Sequence, residues 1–291
     1  MRKLLLNLLL LSFTVSANTQ TTYTFTGPGN WTKGSNWDSN GRPPMTLMTG
    51  DEIVIDAECS ANVTYTLSGG ATLTINSGGS LTVPNAGGFS FTNQGEITNN
   101  GIINNDYNFT NEGTINNNMT LNAATGSGDT FDNNGTLINN SGSTITRSLN
   151  TSNLNNNMGA IFQNNGGTID LAGSSAFINN GIFIGTGNIN GNFTNSGTFS
   201  PGGELSIGNL MVSGNFTNNG TVNVDIGSGG TEDEVSAGST TISGGTLNIS
   251  ATLGAMEEIV MGDHFSFFFF INLSSFKCLD KNKLSKKSSL K

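Results

Sequence analysis

Histidine occurs once and cysteine twice in the chain, and proline only five times. A single His, His264, cannot supply a His-based zinc site, and no Gly-x-Ser-x-Gly elbow accompanies it, so Ser-His nucleophilic chemistry has no parts to work with. Cys59 and Cys278 lie 219 residues apart, which rules out a metal knuckle or a CxxC redox pair. A disulfide between them is open in an oxidising compartment, and a single structural thiol at Cys59 is the simpler reading. Basic residues are as scarce. Between Asn18 and Phe276 only Lys33, Arg42 and Arg147 face 19 acids, a balance of −16 against −9 for the whole chain. Nucleic acid and anionic lipid both need clustered Lys and Arg, so neither is an expected partner. The acids read most simply as solubilising groups along an extended β surface. No run after the first 15 residues is long and apolar enough to span a bilayer as a helix.

What the chain has in excess is Asn, 44 residues, and Gly, 40. One phrase organises them: Phe91-x-Asn93-x-Gly95, Phe109-x-Asn111-x-Gly113, Phe131-x-Asn133-x-Gly135, Phe162-x-Asn164-x-Gly166, Phe177-x-Asn179-x-Gly181, Phe193-x-Asn195-x-Gly197 and Phe216-x-Asn218-x-Gly220. The Phe residues are spaced by 18, 22, 31, 15, 16 and 23 residues, close to one turn of a solenoid. From Phe91 to Leu121 the apolar residues and Gly keep to odd positions, Met119 among them, together with Asn93, Asn99, Asn105, Asn111 and Asn117, while even positions carry Thr, Glu, Gln and further Asn, with Ile102 an exception. Period-two alternation of this kind builds short strands, not helices. The steps Asn100-Gly101, Asn134-Gly135, Asn180-Gly181 and Asn219-Gly220 are expected to turn the chain through positive φ. Because equivalent phrases recur at coil spacing rather than hairpin spacing, the expected fold is all-β: a single-stranded, right-handed parallel β-helix. Phe should stack over Phe and Asn over Asn along its axis. The 31-residue interval between Phe131 and Phe162 marks either a coil without its Phe or a loop.

The two ends differ from the repeat. Met1-Arg2-Lys3, the apolar run Leu4–Val15 and the small residues Ser16-Ala17 read as a signal peptide over 1–17, with a buried N-terminal helix as the alternative. Residues 18–90 are expected to form the N-terminal cap and first coils. They carry both Trp, Trp31 and Trp37, followed by Pro43-Pro44, Gly50-Asp51 and Ile53-Val54-Ile55. This order resembles the N-terminal cap of secreted β-helix proteins of Bacteroidetes-type bacteria. A first coil exposes strand edges and an open core that must be covered, which suits two Trp; a sugar-stacking platform is the alternative use for them. The repeats occupy 91–225 and terminal coils 226–265. Gly197-Thr198-Phe199-Ser200-Pro201-Gly202, Val222-Asn223-Val224-Asp225-Ile226, Gly244-Gly245-Thr246-Leu247 and Gly262-Asp263-His264-Phe265 resemble the passenger-associated repeat of autotransporter adhesins. That resemblance implies a bacterial-surface β-helix associated with an outer membrane. The tail 266–291, with Phe267–Phe270 and a Lys-rich end, departs from the pattern and reads as a frameshift product or disordered end, with a hydrophobic cap strand as the alternative.

Candidate chemistry is thin. Arg147, with Asp129 and Asp132 before it and Asp170 after it, is the one internal set that a β-helix lyase or hydrolase acting on acidic polysaccharide could use. Glu232-Asp233-Glu234 supplies too few fixed oxygens for more than loose Ca²⁺ binding. The expectation is a non-catalytic, secreted or cell-surface protein, adhesin-like or a stalk, without a catalytic, cofactor or metal site. Glycans or cell-surface proteins are its expected partners, and a polysaccharide lyase or hydrolase is the alternative.

Overall fold

The computed structural model describes residues 19–251 except 39, 126–128, 149–152, 174 and 228–230. The signal peptide, Gly262-Asp263-His264-Phe265, Cys278, the Phe run and the Lys-rich tail lie outside the described residues. Within them the chain is a parallel β-solenoid. Its only helical turn among the described residues is the short 3₁₀ segment Gly34–Asn36. Among the described residues no helix is long and apolar enough to cross a membrane.

Each coil crosses three faces. The first face begins at Thr22–Phe25, pairs with Glu52–Ile55 and then Thr72–Ile75, and continues in register to Thr246–Ala251. The second face runs from Gly29–Asn30 and Glu58–Ser60 through Ser80–Val83, Ile102–Asn105 and Thr120–Ala124. The third runs from Tyr65–Leu67 through Ser90–Asn93, Asn108–Asn111 and Thr130–Asn133. Every strand-to-strand pairing is parallel, as expected for coils and not for hairpins. Most strands are four residues long, alternately inward and outward. Four run through a corner and serve two faces: Ile161–Leu171 pairs with Thr136–Asn139 through its first half and with Thr144–Arg147 through its second.

The core is the lumen of this coil. Ile53, Leu73, Ile97, Ile115 and Leu137 line the first face, Leu81, Ile103, Leu121 and Ile145 the second, and Phe91, Phe109 and Phe131 the third, all essentially without solvent contact. Apolar burial of this continuous kind is the dominant stabilising term. The outward residues are mainly Thr, Asn, Ser and Glu, with a few aliphatics such as Val54, Ile138 and Ile178. Ile102 faces out, as the alternation requires, but Met119 does too: it sits at a corner and is 47% exposed, so its odd number does not place it inside.

The lower end is closed by aromatic rings. Trp31 lies below Tyr65, with ring centroids 4.8 Å apart, and Trp37 packs edge-on beneath Trp31 at 4.9 Å and against Phe25 at 5.1 Å. The Trp37 indole N–H donates to the Trp31 carbonyl at 2.8 Å, and the Tyr65 hydroxyl to Pro44 O at 2.9 Å. A buried indole N–H needs such a partner.

Candidate functional site

The repeat phrase is best read from its Phe. On the third face Phe91, Phe109 and Phe131 are in register, with centroids 5.2 and 5.5 Å apart. Higher up Phe177, Phe193 and Phe216 repeat the stack at 5.3 and 5.2 Å. Between them stands Leu154, fully enclosed, whose strand Leu154–Asn156 pairs with Thr130–Asn133 below and aligns Leu154 with Phe177 above. The long interval is therefore a coil with Leu in the Phe position. Phe162 does not belong to this stack. It lies on the first face, aligned with Leu137 and Phe183, and continues upward to Phe199. This corrects the expectation that all seven phrases are equivalent: Phe162-x-Asn164-x-Gly166 has the same letters on a different wall, because a pentapeptide carries no information about which face it occupies.

Two residues after each Phe comes an inward Asn, and these form a buried ladder. Asn93 Nδ2 donates to Asn111 Oδ1 at 2.7 Å, Asn111 to Asn133 at 2.7 Å, Asn133 to Asn156 at 2.7 Å, Asn156 to Asn179 at 2.8 Å, Asn179 to Asn195 at 2.8 Å and Asn195 to Asn218 at 2.7 Å. The second amide hydrogen goes to a corner carbonyl of the next coil, from Asn93 to Thr114 O and from Asn111 to Thr136 O, both at 3.0 Å. Asn93 Oδ1 also accepts the Gly95 N–H at 3.1 Å. One side chain thus meets every requirement of a buried primary amide. Leu67 below and Ile242 above replace Asn at the ladder's two ends. A second ladder, Asn99–Asn117–Asn139–Asn164, runs up the first face at 2.7 to 2.8 Å per step. It ends where Gly185 aligns with Asn164, whose amide turns to Gly167 O and Thr186 O. Asn139 and Asn156 escaped the sequence reading because no Phe precedes them; only the coil register identifies them.

The phrase glycines act by a different means from the expected one. Gly101, Gly135, Gly181 and Gly220 lack the left-handed φ predicted for the Asn-Gly steps, and Gly95, Gly113 and Gly197 lack it as well. They are needed for closeness instead. A Cβ on Gly113 would stand 2.1 Å from Gly95 O, and one on Gly135 2.1 Å from Gly113 O. The corner is a stack of backbones with no room for side chains. Gly166 again differs: it has φ +84° and its nearest neighbours would be 3.8 Å away, as befits its other corner.

The residues with chemical potential are dispersed. Arg147 points into the lumen of the second face, 1% exposed, aligned with Ala124 below and Leu171 above. A bulge at Asn122/Ala124 and the small Ala side chains make room for it. Its Nη2 donates to the Asp129 carbonyl at 3.2 Å. Burial lowers its pKa, opposed by the carboxylates of Asp129 and Asp132. Asp129 is buried, whereas Asp132 and Asp170 lie at outward strand positions, so the carboxylates do not converge with Arg147 on an accessible surface. Asp233 is half-buried. Its Oδ1 accepts the Gly208 N–H and its Oδ2 the Asp225 N–H, both at 2.8 Å, while Glu232 and Glu234 are exposed. Desolvation raises the Asp233 pKa to about 6, against the lowering effect of those two hydrogen bonds. Cys59 is a buried free thiol whose pKa is pushed up by burial. Trp31 and Trp37 are 1% and 5% exposed, so neither offers a face for a sugar to stack on.

No protein-family model, curated protein or solved structure matches the chain.

Proposed function

We propose that this chain is a non-catalytic, secreted or cell-surface β-solenoid that serves as a stalk or adhesin. The observation that carries the reading is the pair of Asn ladders. Lumen positions are committed to Phe, aliphatic residues and fully hydrogen-bonded Asn, which supports rigidity and length in preference to chemistry. The enclosure of Arg147 supports it further, since a proton-abstracting group must reach its substrate. The basic-apolar start Met1–Ala17 supports export. The likeness of segment 197–265 to passenger-associated repeats supports a surface setting, outer-membrane associated, with glycans or cell-surface proteins as partners. The acidic body is a poor match for nucleic acid. No cofactor is required, and Ca²⁺ at Glu232-Asp233-Glu234 would find two exposed carboxylates and one already engaged.

Incubation with pectate and other uronate polymers tests the reading. We expect no unsaturated product by ultraviolet absorbance and no new reducing ends. Turnover that is lost in Arg147→Ala while the circular dichroism spectrum is kept would establish the lyase or hydrolase alternative.

A further inference from the structure

The outer surface of the second face carries a depression of about 420 Å³ over its lower coils. Two aligned rows of outward side chains make it. Ser60, Thr82 and Asn104 form one row, and Glu58, Ser80 and Ile102 the other. Neighbouring rungs are about 4.8 Å apart and the two rows about 7 Å apart along the strands. The dip has a simple cause: Ser60, Ser80 and Thr82 are short hydroxyl side chains, and Asn104 and the 38% exposed Ile102 stand above them as a rim. Its volume falls within the range of about 300–1,000 Å³ usual for small-ligand sites.

The chemistry of the lining selects a ligand class. Ser60, Ser80 and Thr82 offer hydroxyls that donate or accept, Asn104 an amide, and Ile102 a single aliphatic wall. Asn104 Nδ2 donates to Thr82 Oγ1 at 3.3 Å, so the row is already hydrogen-bonded within itself. The lining contributes one carboxylate, Glu58, and no cation. A ligand covered with hydroxyls and having an apolar ring face fits this surface; one bearing carboxylates would meet Glu58 without compensation. We propose that the depression lined by Glu58, Ser60, Ser80, Thr82, Ile102 and Asn104 binds a short stretch of uncharged carbohydrate. The proposal deepens the adhesin reading and rests on it.

Isothermal titration with oligosaccharides of glucose, mannose and xylose, and with oligogalacturonate, tests it. The expected result is saturable binding of at least one neutral sugar, little or none of the uronate, and at least a tenfold loss of affinity in Ser80→Tyr/Thr82→Tyr. Both positions face outward, so the melting curve should hold. Thr168→Tyr, outward on the same face but away from the depression, should bind as the parent does. Failure of all three neutral sugars to bind, preference for the uronate, or unchanged affinity in the filled variant would each overturn this site. None of those outcomes touches the non-catalytic reading, which turns on the product assay.

Discussion

An inward Asn within a ladder is hard to replace because it donates twice and accepts at least once from one rigid, short side chain. Asn133 gives its two hydrogens to Asn156 Oδ1 and Ile161 O, and accepts from Asn111. Asn133→Asp keeps the shape and removes both donors, leaving two buried acceptors facing a carboxylate. The expected cost at neutral pH is about 3 kcal/mol or more in denaturant unfolding. It should shrink on acidification, because a protonated Asp regains one donor. The glycines make the complementary case. Gly113→Ala would drive a methyl into Gly95 O, although its φ is ordinary, and no flexible side chain can yield. A loss of at least 2 kcal/mol is expected, beyond the stabilisation of about 0.4–1 kcal/mol that Gly→Ala gives where the native backbone accepts it. Sequence alone shows that Gly recurs here; it does not distinguish a glycine kept for its φ from one kept for its lack of a side chain.

Single coils show how far a side chain can depart from the repeat. Thr144–Arg147 brings a guanidinium into an apolar and amide lumen, and the chain accommodates it with Ala124 and a bulge below. Arg147→Met fills similar space but leaves Asp129 buried without its cation. About 3 kcal/mol should be lost, and Asp129→Asn in the same background should recover part of the loss. Melting curves of the parent and the two variants decide this. A second charged device links the terminal coils, where Asp233 bridges Gly208 and Asp225. Its pKa is raised to about 6 from the 3.8 of an ordinary Asp. The folded state therefore holds this proton more tightly than the unfolded chain does. Its effect on stability is most favourable below pH 4, declines as pH rises from about 4 to 6 and is constant above. Carbon-13 titration of Asp233 should read an apparent pKa near 6, and Asp233→Asn should remove that slope from the stability profile.

At the scale of the molecule, coils contact mainly their neighbours, so stability accumulates along the axis and the ends are the weak points. The lower end is sealed by Trp31, Trp37, Phe25 and Tyr65. Trp31→Ala should cost about 3–5 kcal/mol and open the first coil's edge strands to pairing between molecules. Sedimentation velocity should then detect self-association that the parent lacks. The sugar-platform alternative predicts the reverse, a stable monomer with reduced glycan binding, but it needs an exposed indole and both are buried.

The sequence by itself determined that the molecule is a coil. Period-two alternation inside strands and a phrase recurring near 20 residues leave little else that could bury Phe91, Phe109 and Phe131 together. It also limited the chemistry, through one His and three basic residues in the body. Only the tertiary structure decided which face each phrase occupies. Phe162 changes walls and Leu154 takes the vacated place, because register is set by corner lengths and by what already fills the lumen, neither of which is local. For the same reason Asn99, Asn117, Asn139 and Asn156 join the ladders without the phrase that marks the others, and Arg147 is inside, in the interval that the sequence left open between a coil and a loop. Local pattern fixes the rise and the alternation; contacts between residues one coil apart in sequence fix what stands over what.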